Sequence, residues 1–260
     1  MTIAPAEDMS RSVDLFLGGQ VTLIQPRSGH RAGLDAALLQ ALPPADATGH
    51  AVDLGSGAGT VALSLAARVS GLRVTGVEYS PDLFACAQQA LQHPGNRGIA
   101  ERVRFVQQDV TARRPVREAA GLSDGSADWV VMNPPFDVSG DVRASPDPAR
   151  RFAHVAEPGV LSDWRRTAAG LLRPGGKLGI VHRAAALAKI LASLQGRFGD
   201  IRILPVHPAA SAPASRVLVL ATSGSHAGLR IIPRLILHRD DGQWTEEADC
   251  ILRGRRHIAL

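Results

Sequence analysis

The run Asn133-Pro134-Pro135-Phe136 has the residue types to hold a planar amino group. Neither proline has a backbone N–H, so the turn presents carbonyl acceptors and no donors of its own. The Asn side chain adds one more acceptor oxygen. Phe136 supplies a stacking ring in a chain that is only 4% aromatic. Acceptors beside a ring suit a planar group bearing an NH2, such as adenine N6 or a carboxamide.

A second set of residues has the spacing to hold a nucleoside. Asp53-Leu54-Gly55-Ser56-Gly57-Ala58-Gly59 follows an apolar run, and glycines there allow a tight turn and close approach of the backbone to a ligand. Glu78 and Asp109 end the next two apolar runs. The first is placed to take both hydroxyls of a ribose, and the second to accept from an adenine amino group. The spacing is not the dinucleotide fingerprint, which needs glycine three positions after its second glycine; Thr60 stands there.

These residues need strands to carry them. Apolar runs predict strands at 50–54, 72–78, 102–107 and 128–132, then at 177–182, 201–206 and 216–221, with an edge strand at 229–237. Helices are predicted over 33–41, 60–69, 161–172 and 184–196. A further helix runs to about Gln92, with Ser80 as N-cap and Pro81 in the first turn. Alternating strands and helices imply parallel crossovers. The last two long strands, joined by a Pro/Ala/Ser loop, fit an antiparallel pair better. The expected fold is therefore α/β and Rossmann-like: a mixed seven-stranded sheet with helices on both faces and an antiparallel edge hairpin. A hairpin around Gly18-Gly19 precedes it, and residues 1–12 read as a frayed terminus.

The 260 residues can bury a sizeable core, and 45% hydrophobic with 20% charged residues is ordinary globular composition. No apolar run is long enough to span a bilayer, and no basic-then-apolar leader opens the chain, so a cytoplasmic location is expected. Cys86 and Cys250 make neither a metal-ligand spacing nor a disulfide framework, and no metal is expected. The net charge of +5, almost entirely arginine, suits a phosphate-rich partner or simple solubility equally.

The acid-x-Gly-x-Gly-x-Gly pattern resembles motif I of class I S-adenosylmethionine (AdoMet) methyltransferases. Asn-Pro-Pro-Phe resembles motif IV of those acting on adenine N6, cytosine N4 or the glutamine amide. Gly19, Gln25-Pro26, Gly29-His30-Arg31-Ala32-Gly33 and Asp35 are similar to the N-terminal signature of bacterial tRNA(Val) adenine-N6 methyltransferases. Ala214-Ser215-Arg216-Val217-Leu218-Val219, Pro233-x-Leu235-x-Leu237-His238 and Leu252-Arg253-Gly254 continue the likeness, which covers about residues 14–254. Two features depart from that family: Phe136 stands where Tyr is frequent, and residues 222–226 are nearly neutral.

The resemblance implies AdoMet as cofactor, RNA (in particular tRNA) as partner, and no membrane. It implies catalytic roles for Asn133, Pro134, Pro135 and Phe136. Cofactor binding falls to Asp53, Gly55, Gly57, Gly59, Glu78, Tyr79, Asp109, Val110, Asn133 and Arg31. Residues 1–45 are expected to form a hairpin and helix capping the cofactor site, and 46–260 the methyltransferase domain. Arg31 and Asp35 either pair along the first helix or help to close the cofactor pocket. Arg143, Arg150 and Arg151 are candidates for RNA phosphates. The competing acceptor is a protein glutamine amide, though the long N-terminal helical domain expected of release-factor enzymes does not precede the core. A non-catalytic AdoMet- or RNA-binding protein of the same fold is the alternative from a different class.

Overall fold

The computed structural model describes residues 10–28, 31–135 and 159–260. Phe136, His30, Arg143, Arg150 and Arg151 lie outside them. Strands β1 (Arg11–Phe16) and β2 (Val21–Pro26) form a separate antiparallel pair. The expected hairpin is present, but it begins inside the stretch expected to fray. Ser12 opposes Gln25 across the ladder and its hydroxyl accepts from Arg31 Nη1 at 3.0 Å, so that end is held. Helix α1 (Leu34–Gln40) follows and stops short of Pro43-Pro44.

The main body runs β3 (Gly49–Leu54), α2 (Thr60–Arg68), β4 (Leu72–Glu78), α3 (Pro81–Gln92), β5 (Val103–Gln107), α4 (Arg114–Ala119) and β6 (Ala127–Met132). It continues with α5 (Val160–Leu171), β7 (Leu172–Arg183), α6 (Leu187–Leu194), β8 (Phe198–Ala209) and β9 (Arg216–Ser223). Two short strands, β10 (Arg230–Ile231) and β11 (Leu235–His238), precede helix α7 (Glu246–Leu252).

The large sheet has the order β10-β8-β9-β7-β6-β3-β4-β5, with β11 also on β8. Strands β3 to β7 pair in parallel, and β9 is antiparallel to both β7 and β8. The expected α/β class, mixed sheet and antiparallel pair are present, but the sheet has nine strands rather than seven, and β10 and β11 pair outside β8, so the antiparallel pair is not the edge. The single edge strand expected at 229–237 is instead two short pieces. Ile231 opposes Ile203 and Leu235 opposes Val206, so one extra residue sits beside Pro233, which has no N–H for the ladder. Helices α4 and α7 carry no strong periodic signal in the sequence, and neither was expected.

Strand alternation feeds two cores. Val131 and Val181 pack with α1, α2 and α3 on one face, while Val130, Met132 and Ile180 pack with α5 and α6 on the other. From β3 the chain winds one way through β4 and β5, and the other way through β6 and β7. That reversal opens a crevice at the carboxyl ends of β3 and β6, where Asp53 and Asn133 stand.

Candidate active site

The turn after β3 is shaped by its glycines. Gly55 and Gly57 have φ of +70° and +56°, a region that side chains rarely adopt. Their surroundings differ. A Cβ on Gly55 would lie 2.3 Å from the Trp164 ring of α5, so the loop can pass under that indole only as glycine. A Cβ on Gly57 would meet nothing within 4 Å; that position faces open space. Gly59, at φ +84°, starts α2.

Glu78 holds this loop in place. Its Oε2 accepts from Gly57 N at 2.7 Å and its Oε1 from Ser80 N at 2.8 Å, which ties the glycine turn to the start of α3. Each oxygen has a further lone pair for a ribose hydroxyl. Asp53 is fully buried, and its Oδ2 accepts from Ala62 N at 3.1 Å. Burial pushes its carboxyl up to about 7; the Ala62 N–H opposes the shift and the Glu78 charge adds to it.

A cavity of about 310 Å³ opens over the turn. Of the residues expected to bind the cofactor, the structure brings Asp53, Gly55, Gly57, Asn133 and Arg31 into its lining. Glu78, Gly59, Tyr79, Asp109 and Val110 stand outside the lining. Asp109 Oδ1 caps its own turn, accepting from Thr111 N at 2.7 Å and Thr111 Oγ1 at 2.8 Å. Val110 is buried, and its carbonyl accepts from Thr167 Oγ1 of α5. The Tyr79 ring is largely exposed beside Glu78.

The N-terminal segment supplies the opposite wall, through Gln25, Arg31 and the start of α1. The expected pairing of Arg31 with Asp35 is not what forms. Arg31 instead donates to Asp14 Oδ2 at 2.7 Å and to the Pro26 carbonyl. Burial alone would raise the Asp14 carboxyl, but hydrogen bonds from Ser12 and Gln25 and the Arg31 guanidinium hold it below its usual range. Asp35 pairs with Arg216 Nε of β9 at 2.8 Å, across 181 residues. Arg31, Asp35 and Arg216 all line the cavity. Arg216 stands in a stretch that resembles the family's C-terminal pattern, but its place at the cavity comes from its position on β9. Trp164 and Phe105, which press on the glycine turn, were unmarked in the sequence.

Asn133 follows β6 directly, and Pro134 is buried behind it. The Asn133 Oδ1 atom is buried and has no hydrogen-bond partner among the described residues. A buried acceptor left this way costs about 1–3 kcal/mol. Pro135 faces a second cavity, of about 180 Å³, on the far side of the turn.

An AdoMet-sized cation fits these residues: an open glycine cradle, a buried carboxylate at its floor and carboxylates matched to arginines on its wall. The fold and this site define a class I AdoMet-dependent methyltransferase. More narrowly, the chain belongs to the methyltransferase small domain family, whose model matches residues 32–207. A solved structure from Agrobacterium tumefaciens, described as a predicted O-methyltransferase, is 32% identical with a TM-score of 0.76, covering 87% of this chain and 99% of that one. Among curated relatives, a release factor glutamine methyltransferase of Chlorobaculum tepidum is 30% identical over 159 residues, 59% of this chain. The match spans about half of that relative's length, 52%. A tRNA1(Val) (adenine(37)-N6)-methyltransferase of Porphyromonas gingivalis is 29% identical over 205 residues, 74% of this chain and 76% of that one. No helix among the described residues is long and apolar enough to cross a membrane.

Proposed function

We propose that this chain methylates the exocyclic N6 of adenine in RNA, with tRNA as the RNA class, in the cytoplasm. The observation that carries the reading is the buried, unpartnered Asn133 Oδ1 on the wall of the cavity built by the glycine turn. It is an acceptor in want of an NH2. The tRNA-modifying relative matches over three quarters of both chains, whereas the glutamine-modifying one matches over about half of its own length.

Asp53, Gly55, Gly57 and Glu78 would hold the cofactor, with Tyr79, Asp109, Val110 and Gly59 around its nucleoside end. The hairpin and α1 would form a cap over residues 46–260, with Arg31 in that cap. When bound, AdoMet supplies an electrophilic sulfonium methyl. The lone pair of adenine N6 is delocalised into the ring and is a poor nucleophile. Asn133 Oδ1 and the Pro134 carbonyl accept from the NH2, favouring a pyramidal nitrogen and stabilising the positive charge that develops on it. Holding donor and acceptor in line lowers the barrier further. Phe136 stacks on the base, which must leave any helical stack to enter. No strong base is needed, because the methylated nitrogen loses its proton readily to water.

The test is to incubate the protein with methyl-labelled AdoMet and either unfractionated tRNA or total cell protein. Label in N6-methyladenine of tRNA supports the proposal. Label on protein glutamine overturns it in favour of the amide reading, and label on neither leaves a binding protein of the same fold.

A further inference from the structure

Helix α5 touches two of the turns expected to meet the cofactor. Leu161, Trp164, Ala168 and Leu171 recur at helical spacing and pack into the core that also holds Leu54, Val110 and Met132. Through Trp164 the helix presses on Gly55. Thr167 stands beside that apolar row and is buried. Its Oγ1 donates to the Val110 carbonyl at 2.7 Å, 57 residues away in the chain. A threonine inside a helix has a nearer acceptor in the carbonyl four residues back. This hydroxyl reaches another element instead.

That bond leads straight to Asp109. The Val110 carbonyl and the Thr111 N–H belong to one planar trans peptide and point in opposite directions. Thr167 grips the carbonyl, while the N–H donates to Asp109 Oδ1 at 2.7 Å. Thr111 Oγ1 donates to the same oxygen at 2.8 Å. The tilt of a single peptide plane therefore sets the direction of the Asp109 carboxylate. The turn also closes on itself, through Ala112 N donating to the Asp109 carbonyl at 3.1 Å. Among the described residues, the Thr167 hydroxyl makes the one hydrogen bond that joins residues 109–112 to another element. Asp109 is exposed, and its Oδ2 has no hydrogen-bond partner among the described residues. One carboxylate oxygen is thus held in a fixed direction and open to a donor.

We propose that Thr167 is a positioning residue for the adenine of the cofactor: through the 110–111 peptide it aims the Asp109 carboxylate at the adenine amino group. This rests on the role proposed for Asp109 at the nucleoside end, and not on the identity of the methyl acceptor. The two hydrogen bonds act in series, because a donor on a carbonyl strengthens donation by the N–H of the same peptide. Without the hydroxyl the Val110 carbonyl is short of a partner in the core. The peptide plane then turns to find one, and the carboxylate loses its direction while keeping its charge.

The test measures binding of S-adenosylhomocysteine and of S-inosylhomocysteine to the full chain, by competition with labelled AdoMet. The inosine compound presents an oxygen where adenine has its amino group, so a carboxylate there repels it. Wild type should prefer the adenosine compound about tenfold or more, the worth of one hydrogen bond to a charged acceptor. Thr167→Val, which loses the hydroxyl, should weaken the adenosine compound about fivefold and the inosine compound less than about twofold. Thr167→Ser keeps the donor and should return the preference to within about twofold of wild type. Asp109→Asn should lower the preference by itself, since an amide can donate to the inosine oxygen, and adding Thr167→Val should lower it no further. If the urea midpoint shows that the valine variant does not fold, Thr167→Ala gives the same comparison, with room for a water at the carbonyl. Equal weakening of both compounds overturns the proposal, because a packing role does not discriminate between the two bases. An unchanged preference in the valine or alanine variant overturns it as well. A preference that survives Asp109→Asn removes the adenine role of Asp109 and this proposal with it, and leaves the proposed methyl transfer to RNA standing.

Discussion

The two cavities beside the Asn-Pro-Pro turn are lined by different kinds of side chain. In the cavity over the glycine turn each arginine is matched by a carboxylate: Arg31 by Asp14 and Arg216 by Asp35. Asp53 is buried in its floor. The cavity beside Pro135 is lined, among the described residues, by Leu161, His182, Arg183, Ala185, Ala186 and Lys189. The first suits a small ligand of mixed charge, such as AdoMet with its sulfonium, ammonium and carboxylate. Asn133 lines the first and Pro135 the second, and the neutral Asn133 side chain suits a neutral amino group.

The largest expected effect falls on Asn133. Asn133→Ala should lower kcat for methyl transfer about 100- to 1000-fold, the range seen when one prearranged polar partner of a transition state is lost. Equilibrium binding of AdoMet should change less than about threefold. Single-turnover label transfer alongside filter binding separates the two, and unchanged turnover would break the comparison at its centre.

The cofactor side is sharpened by two glycines. Gly55→Ala places a methyl against Trp164 at a positive φ, and should destabilise the fold by roughly 2 kcal/mol or more, read from the urea midpoint. Gly57→Ala meets no atom, so its cost in stability should be about 1 kcal/mol, from φ alone. Its loss should show instead in AdoMet affinity, because the new methyl projects into the open cradle. Equal loss of stability in both variants would mean that the Gly57 side of the turn is packed rather than open.

The buried carboxylate adds a pH signature. Asp53 has its folded pKa raised from 3.8 to about 7. Between those values the folded chain holds a proton that the unfolded chain has lost, so stability falls as pH rises from about 4 to about 7 and levels off above. Asp53→Asn should flatten that part of the urea midpoint against pH. A bound sulfonium favours the charged carboxylate, so AdoMet affinity of the wild type should rise through pH 7. A flat stability profile in the wild type would remove Asp53 from the buried floor.

The smallest effects concern charge matching itself. The Asp35–Arg216 pair is partly exposed, and a double-mutant cycle with Asp35→Asn and Arg216→Gln should give a coupling of about 1 kcal/mol. AdoMet affinity should change less than about twofold between 50 and 200 mM salt, whereas tRNA affinity should fall about tenfold or more. A strong salt dependence for AdoMet would erase the contrast between the two cavities.

Much of this site was legible in the chain because its parts are local. Asp53, Glu78 and Asn133 stand at strand ends that apolar runs announce, and Ser80 caps α3 as its sequence implies, accepting from Leu83 N. The edge at 229–237 was misjudged as one strand because Pro233 interrupts pairing, a fact about the neighbouring strand's hydrogen bonds rather than about hydrophobicity. One of the two readings for Arg31 paired it with Asp35 on helical spacing, and that pair does not form because Arg31 precedes α1 and reaches back to the hairpin.

The sequence by itself determined the local conformations: where strands end, where the backbone must take positive φ, and which side chains project at those ends. Short-range sterics and hydrogen bonding decide these within a few residues. Only the tertiary structure decided which charges meet. Asp35 finds Arg216 because β9 inserts antiparallel between β7 and β8, and Trp164 lies on Gly55 because α5 crosses the face of the sheet. Charge pairing depends on distance in space, and no periodicity along the chain records it.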